Sequence, residues 1–410
     1  MTQRSRSLSL GLALFLAAGI FSADARTEEG QAGSPPAPET AQQPLRTNRL
    51  DQESSNRHKD TKKLVDKSAH CLECHQDETP GIFEEWVNST HARAGVGCAD
   101  CHAGEKSDKS LSPHAGKFFI RTVVTPYICA KCHKEEALDF SASGHARALE
   151  LLKEMKEDDP RYPVVSRHKD SDFSQCGGCH GVVVSLDENN LPNPATWPGS
   201  GAGRINPDKS HGTCASCHMG HRFSVATARQ PETCLRCHDG ANYPEGEIYR
   251  HSLHGVAYET QTDKKLMDRT GFFYDASQMG SPTCAFCHMN GSGHGLLTQH
   301  NPAWRLPHDL TSPQAPLVPR AENLRNNMKS GCNQCHASGV VDRFFADADS
   351  KLQEYQKNVV EPKLAEFKQK LSAVKEQDRR QLVDEYSRFL TESKGYRMNL
   401  YMGRHGRTQR

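Results

Sequence analysis

Every cysteine in this sequence belongs to a C-x-x-C pair, and a histidine follows each pair at once. The first four motifs are Cys71-Leu-Glu-Cys74-His75, Cys98-Ala-Asp-Cys101-His102, Cys129-Ala-Lys-Cys132-His133 and Cys176-Gly-Gly-Cys179-His180. The other four are Cys214-Ala-Ser-Cys217-His218, Cys234-Leu-Arg-Cys237-His238, Cys284-Ala-Phe-Cys287-His288 and Cys332-Asn-Gln-Cys335-His336, and no cysteine is left over. This is the attachment pattern of c-type haem: two thiols add across the haem vinyl groups as thioethers, and the adjacent histidine becomes an axial iron ligand. Zinc sites and a disulfide scaffold also use even sets of cysteines, but neither requires a histidine after every pair. With 22 histidines in 410 positions, eight such placements by chance are on the order of 10⁻¹⁰. The spacing predicts eight covalently bound haem c groups per chain.

The remaining histidines decide whether those irons are sealed or open. Eight of the 22 are motif ligands, which leaves His58, His70, His91, His114, His145, His168, His211, His221, His251, His254, His294, His300, His308 and His405. A haem with two histidines carries electrons, whereas an open position is needed to bind a substrate. Several of these residues sit among small neighbours that let a ring approach closely: Ser89-Thr-His91-Ala, Pro113-His114-Ala, Ser143-Gly-His145-Ala, Ser252-Leu-His254-Gly and Ser292-Gly-His294-Gly. Together with His221 they are the expected distal ligands. His58 and His405 lie in polar terminal stretches and are not expected to bind iron. Counting alone identifies no open site, because fourteen histidines could seal all eight haems.

The elements that must position these groups are short and helical. Hydrophobic residues make up 35% of the chain, below the roughly 45–50% usual for a globular protein in a tally that also counts glycine. Eight apolar macrocycles would supply the missing core. The net charge of +1 gives no reason to expect a nucleic-acid partner. At the N-terminus, Arg4 and Arg6 precede an apolar run from Leu8 to Phe21 that ends in Ala23-Asp24-Ala25. This reads as a secretory signal over residues 1–25, with an uncleaved membrane anchor as the alternative, and places the mature chain in the periplasm or otherwise outside the cytoplasm. Residues 26–62 read as a flexible leader, rich in Pro, Gln, Thr, Ser and Glu. The haem region, 63–340, shows little strand alternation. Residues 341–410 change character: Val341 to about Ser393 reads as helix, with Pro362 as a kink or a first-turn residue. Leu364, Phe367, Leu371 and Val374 form an apolar stripe that Leu382, Tyr386 and Phe389 resume. The expected class is mainly α: a multihaem cytochrome wrapped by short helices and loops and followed by a long helical hairpin. That hairpin either packs on its own haem domain or serves as an oligomerisation arm.

The strings between the motifs resemble the octahaem hydroxylamine oxidoreductase family. They are Trp197-Pro-Gly-Ser-Gly-Ala-Gly-Arg204-Ile-Asn-Pro-Asp-Lys-Ser running into Cys214-Ala-Ser-Cys217-His218-Met-Gly-His221, and Ala228-Arg-Gln-Pro-Glu-Thr-Cys234 through Glu247-Ile-Tyr-Arg-His-Ser-Leu-His254-Gly. Thr79-Pro-Gly-Ile-Phe-Glu-Glu-Trp86 and Ala94-Gly-Val-Gly-Cys98 are similar to the same family's first two haem sites. The resemblance spans roughly residues 65–402. It implies a helical fold around a fixed haem array, a homotrimer, and a catalytic haem on the fourth motif, held by Cys176, Cys179 and His180, with seven bis-histidine haems. Family members oxidise hydroxylamine or hydrazine, or reduce nitrite or hydroxylamine.

Two departures bear on direction. Where oxidative members carry an Asp-His pair near the catalytic haem, this chain has Asn242-Tyr243, an amide and a phenol, both poor proton shuttles near neutral pH. Oxidative members also carry a cross-linking tyrosine beyond the C-terminal helices; here Tyr396 and Tyr401 fall earlier, and Arg404-His-Gly-Arg-Thr-Gln-Arg410 contains none. The reading is reduction of nitrite, hydroxylamine or a similar small nitrogen compound. Arg204 is the candidate anion holder, since its fork stays charged, and pairing with haem propionates is the alternative. Tyr274 or His251 could supply protons. The electron partner expected is a small redox protein or a quinol-linked membrane cytochrome. The competing readings are a pure electron carrier with every haem sealed, hydroxylamine or hydrazine oxidation, and reduction of a sulfur oxyanion.

Overall fold

The attachment motifs fold as single helical turns, and the turn itself assembles the chemistry. In the third, fifth, sixth and eighth motifs the histidine N–H donates to the carbonyl of the first cysteine: His133 to Cys129 at 2.9 Å, His218 to Cys214 at 2.9 Å, His238 to Cys234 at 3.0 Å and His336 to Cys332 at 2.9 Å. Positions i, i+3 and i+4 share one face of a helix, so both thiols and the imidazole leave the backbone on the same side. The structure is a computed structural model that describes residues 68–403 apart from 109, 241–242, 262–266, 268–280, 291–297 and 306–320. The signal segment, the leader, His58, Asn242, Tyr274, His294, His308 and His405 lie outside the described residues. The described residues fall in the compact unit Gln52–Arg410.

Helices dominate. In chain order they include α1 (Pro80–Val87), α2 (Ala148–Lys153), α3 (Glu245–His251), α4 (Leu253–Gln261), α5 (Ala321–Cys332), α6 (Ser338–Tyr355), α7 (Glu361–Ala373) and α8 (Glu376–Met398). One antiparallel pair of strands, β1 (Ser112–His114) and β2 (Phe118–Ile120), aligns Ser112 with Ile120 and His114 with Phe118. Side-chain cores are small: Tyr249, Tyr258, Met267, Ala285 and Phe286 form one, and Leu149, Leu152 and Phe173 another. Among the described residues no helix is long and apolar enough to cross a membrane.

The C-terminal helices refine the expected continuous run. The π-helical turn Gln356–Val360 joins α6 to α7 with no break in helical conformation, and Pro362 follows it in the first turn of α7. The helix stops at Val374, whose backbone turns extended, and restarts as α8 through Met398, five residues past Ser393. That break allows α7 and α8 to fold back on each other. Val360, Leu364, Phe367 and Tyr386 are buried together, with Leu382, Phe389 and Val164 of the haem region packed against them. Arg167 donates to the Asp384 carboxylate at 2.7 Å, a second tie between the hairpin and the haem region. Phe367 is 1% exposed, and its ring lies 4.9 Å from that of Tyr386. Phe367→Ala is expected to cost about 3–5 kcal/mol, read as an earlier guanidinium midpoint for loss of helical signal. An unchanged midpoint would show that the hairpin does not rest on this contact.

Candidate functional site

A connected cavity of about 3310 Å³ runs through the haem region, several times the roughly 300–1,000 Å³ of a small-molecule pocket. All eight motif histidines line it, as do the cysteines except Cys176. None of the 16 cysteines is in a disulfide. Among the described residues no three His, Cys, Asp or Glu side chains converge to hold a metal ion.

Six of the motif histidines face a second imidazole across this space. The ring centroids are 5.9 Å apart for His75–His114, 6.0 Å for His133–His91 and 6.1 Å for His102–His221. They are 6.5 Å apart for His218–His300, 6.1 Å for His238–His145 and 6.2 Å for His336–His254. A metal–imidazole bond is about 2 Å and a ring centroid lies about 1 Å behind its nitrogen, so two rings on opposite faces of one iron stand about 6 Å apart. The residues present fit bis-histidine haem. Burial pushes His145 and His218 down to about 4, helped by the histidine each faces, which keeps the rings neutral as iron ligation requires.

Local capping explains three of these partners. Ser89 Oγ accepts the Ala92 N–H at 3.0 Å, Ser143 Oγ the Ala146 N–H at 3.2 Å, and Ser252 Oγ the Gly255 N–H at 3.1 Å. In each Ser-x-His-small string the serine caps a short helical turn and the histidine sits two residues into it, aimed into the cavity. His300 belongs to none of these strings and was not among the expected distal ligands. It is held instead by Asp139, whose carboxylate accepts the N–H groups of His300 and Asn301, the latter at 2.9 Å.

The cysteines order the motifs in space. Cys71 lies beside Cys98, Cys129 beside Cys214, Cys234 beside Cys284, and Cys237 beside Cys179. Cys101 lies close enough to Cys129, Cys217 to Cys234, and Cys287 to Cys332 to perturb one another electrostatically. The motifs therefore run one, two, three, five, six, seven, eight, and the fourth joins the row as a branch at the sixth.

The fourth motif is set in glycine. A Cβ on Gly201 would meet the Gly181 nitrogen at 2.1 Å, and one on Gly203 the Ala148 nitrogen at 2.6 Å. The glycine-rich string after Trp197 thus lies backbone against backbone on the turn that carries His180. His180 Nδ1 is 3.3 Å from the Ala148 carbonyl oxygen, a contact that fixes the ring and leaves Nε2 for a metal. Among the described residues no second imidazole faces His180 or His288. Tyr243 is half-buried, and burial, with Cys179, Cys176, Glu245 and Cys237 nearby, pushes its phenol above the ordinary range. The ring of Tyr243 stands 6.4 Å from that of His238 and carries Lys394 Nζ 4.7 Å over its face. Lys394 also pairs with Glu245. Burial would raise the Glu245 carboxyl, but hydrogen bonds with His238 and Lys394 and the lysine charge outweigh it and hold the group below its ordinary value. The sequence offered no signal for Lys394 or Glu245.

Arg204 lines the same cavity. Its Nε donates to Asn206 Oδ1 at 2.7 Å and its NH2 to the Val124 carbonyl at 3.0 Å, with the guanidinium 5.1 Å over the Trp197 ring. Its charge lies near Cys214 of the fifth motif, Cys129 of the third, and Asp208. The backbone of Arg204 packs on Gly181, yet its charged end is not brought together with Tyr243. His211 approaches Glu150 at 3.6 Å, and His251 Nδ1 its own helix at the Glu247 carbonyl, 2.9 Å.

Two family models match. Residues 201–366 fit the multihaem cytochrome C-x-x-C-H family, and residues 39–103 and 128–196 fit cytochrome c554 and c-prime. A probable nitrite reductase-hydroxylamine oxidoreductase fusion protein of Kuenenia stuttgartiensis is 27% identical over 242 residues, 53% of this chain. The chain spans 25% of that relative's length. A solved hypothetical multihaem protein superposes with a TM-score of 0.65 at 21% identity, covering 83% of this chain and 92% of its own. A chain of the reducing HAO-like protein complex of Kuenenia stuttgartiensis superposes with a TM-score of 0.47 at 20% identity, covering 73% and 61%. The fold is that of a multihaem cytochrome, and the chain is a c-type cytochrome that binds haem c covalently.

Proposed function

We propose that this chain carries eight haems and reduces nitrite or hydroxylamine at the one on the fourth motif, while the other seven relay electrons. The observation that carries the reading is the contrast between His180, which faces no imidazole among the described residues, and six motif histidines that each face one at 5.9–6.5 Å. His288 also faces none among them. It is followed, however, by Ser292-Gly-His294-Gly, the string that in three described instances caps a turn bearing a facing histidine. His294 lies outside the described residues; on that sequence string alone it is the proposed distal ligand of the seventh haem, which leaves the fourth open.

A haem held there by Cys176, Cys179 and His180 would supply an iron site for the small nitrogen compound and the electrons for its reduction. The chain's own residues do the rest. Ala148 orients His180, and the glycine string keeps the fourth motif against its neighbours. Tyr243, whose phenol burial pushes above its ordinary range, keeps its proton at neutral pH and so does not serve as a base. Reduction of nitrite or hydroxylamine consumes protons, whereas oxidation of hydroxylamine needs a base, so the phenol supports the reductive direction. The Kuenenia relative, a probable nitrite reductase-hydroxylamine oxidoreductase fusion protein, supports the same substrate class. On this reading the chain is exported, assembles as a homotrimer and receives electrons from a small redox protein or a quinol-linked cytochrome.

Electron paramagnetic resonance of the holoprotein tests the proposal. One high-spin iron that shifts on adding cyanide or nitrite is expected beside low-spin bis-histidine signals. Eight low-spin irons that ignore both anions would make the protein an electron carrier.

A further inference from the structure

The motif histidines differ in what holds the nitrogen that does not face the cavity. His75 Nδ1 lies 3.1 Å from Thr79 Oγ1, His102 Nδ1 2.7 Å from the Arg121 carbonyl oxygen, and His180 Nδ1 3.3 Å from that of Ala148. These acceptors are neutral. His238 Nδ1 instead lies 3.4 Å from Glu245 Oε1, a carboxylate. The same oxygen pairs with Lys394 Nζ from α8, the two side chains being 16% and 14% exposed. The other oxygen, Oε2, is buried with no hydrogen-bond partner. The carboxylate is thus held in place by its neighbours and keeps one oxygen free of protein donors.

A carboxylate that accepts the Nδ1 proton of a ligating imidazole increases electron donation from Nε2, which favours ferric over ferrous iron. The location gives this weight. His238 belongs to the sixth motif, where Cys237 meets Cys179 of the fourth and Cys234 meets Cys284 of the seventh. Electrons bound for the fourth haem leave the row here. We propose that Glu245 is a positioning residue that lowers the reduction potential of the haem on His238 below that of haems whose histidines bond to neutral oxygens, so that the branch point is a strong donor to the fourth haem. Lys394 clamps the carboxylate and thereby links the C-terminal hairpin to the redox level of the array. The inference rests on the reading that His238 binds haem.

The test is spectropotentiometry of the Glu245→Gln holoprotein, which keeps the shape of the side chain and removes its charge, together with mass analysis of the haem-bearing peptides. The expected result is full haem content with one midpoint raised by about 60 mV, a roughly tenfold change for a one-electron couple, and altered g-values for one low-spin haem. Glu245→Asp, with the charge retained, is expected to recover part of the shift. Full haem content with unchanged midpoints and g-values in the Gln variant overturns the inference and leaves the haem assignment standing. A wild-type Cys234–His238 peptide without haem mass overturns both.

Discussion

Replacing Cys98 and Cys101 together by alanine is expected to abolish the folded protein rather than merely remove one chromophore. The two thiols link the first motif to the third, with Cys98 beside Cys71 and Cys101 beside Cys129. The space they line is continuous with the rest of the 3310 Å³ cavity, and the surrounding side-chain cores are small. A missing macrocycle leaves apolar walls with nothing to pack on and leaves His102 and His221, 6.1 Å apart, without the iron that would join them. Cavities cost about 24 cal/mol per Å³, so a haem-sized void rivals the whole stability of a domain, about 5–15 kcal/mol. Haem-stained gels and far-ultraviolet circular dichroism of the double variant should show little soluble haem protein and lost helix. A folded seven-haem protein with wild-type thermal behaviour would refute the view that haem is the core.

Gly201→Val is expected to be selective where the cysteine change is global. Its first added carbon would overlap the Gly181 nitrogen at 2.1 Å and the Gly177 carbonyl oxygen at 2.5 Å, all backbone atoms that cannot swing aside. The glycine string must lift from the fourth motif and tilt the turn bearing His180. A misplacement near 1 Å costs on the order of 10²-fold in rate. Nitrite or hydroxylamine reduction with a viologen donor should fall by about that factor, while the low-spin signals persist. Unchanged turnover with an unchanged high-spin signal would mean that the fourth motif is not where the substrate reacts.

Much of this was legible because haem attachment is local. Five consecutive residues carry the thiols and the ligand, and a single helical turn brings them to one face. The Ser-x-His-small strings were legible for a related reason: a serine cap and the histidine it orients are neighbours in sequence. The fold class followed from the missing apolar residues and the C-terminal stripe, although nothing in Ala373-Val374-Lys375 marked the break that makes a hairpin. His300 was missed as a ring partner because its support, Asp139, comes from far earlier in the chain. The contact between Glu245 and Lys394 was equally silent, since each residue alone reads as a solvated charge. Arg204 is a third case. Its setting suggested an anion site, and the residues that take two of its five donors, Asn206 two positions on and the distant Val124 carbonyl, were not legible as its partners.

The six facing histidine pairs have a consequence for how the molecule comes apart. With haem in place each pair closes a loop, and each loop overlaps the next. His91 lies between His75 and His114 in sequence, His102 between His91 and His133, and His145 between His102 and His221. His218 falls between His145 and His238, and His254 between His218 and His300. No loop can open without loosening its neighbour, in the manner of links in mail, and closing many loops removes much of the entropy that an unfolded chain would gain. Such a chain has no independently melting half. It should resist heat up to one sharp transition, and a reductant or chelator that leaves the thioethers intact should leave the weave intact as well.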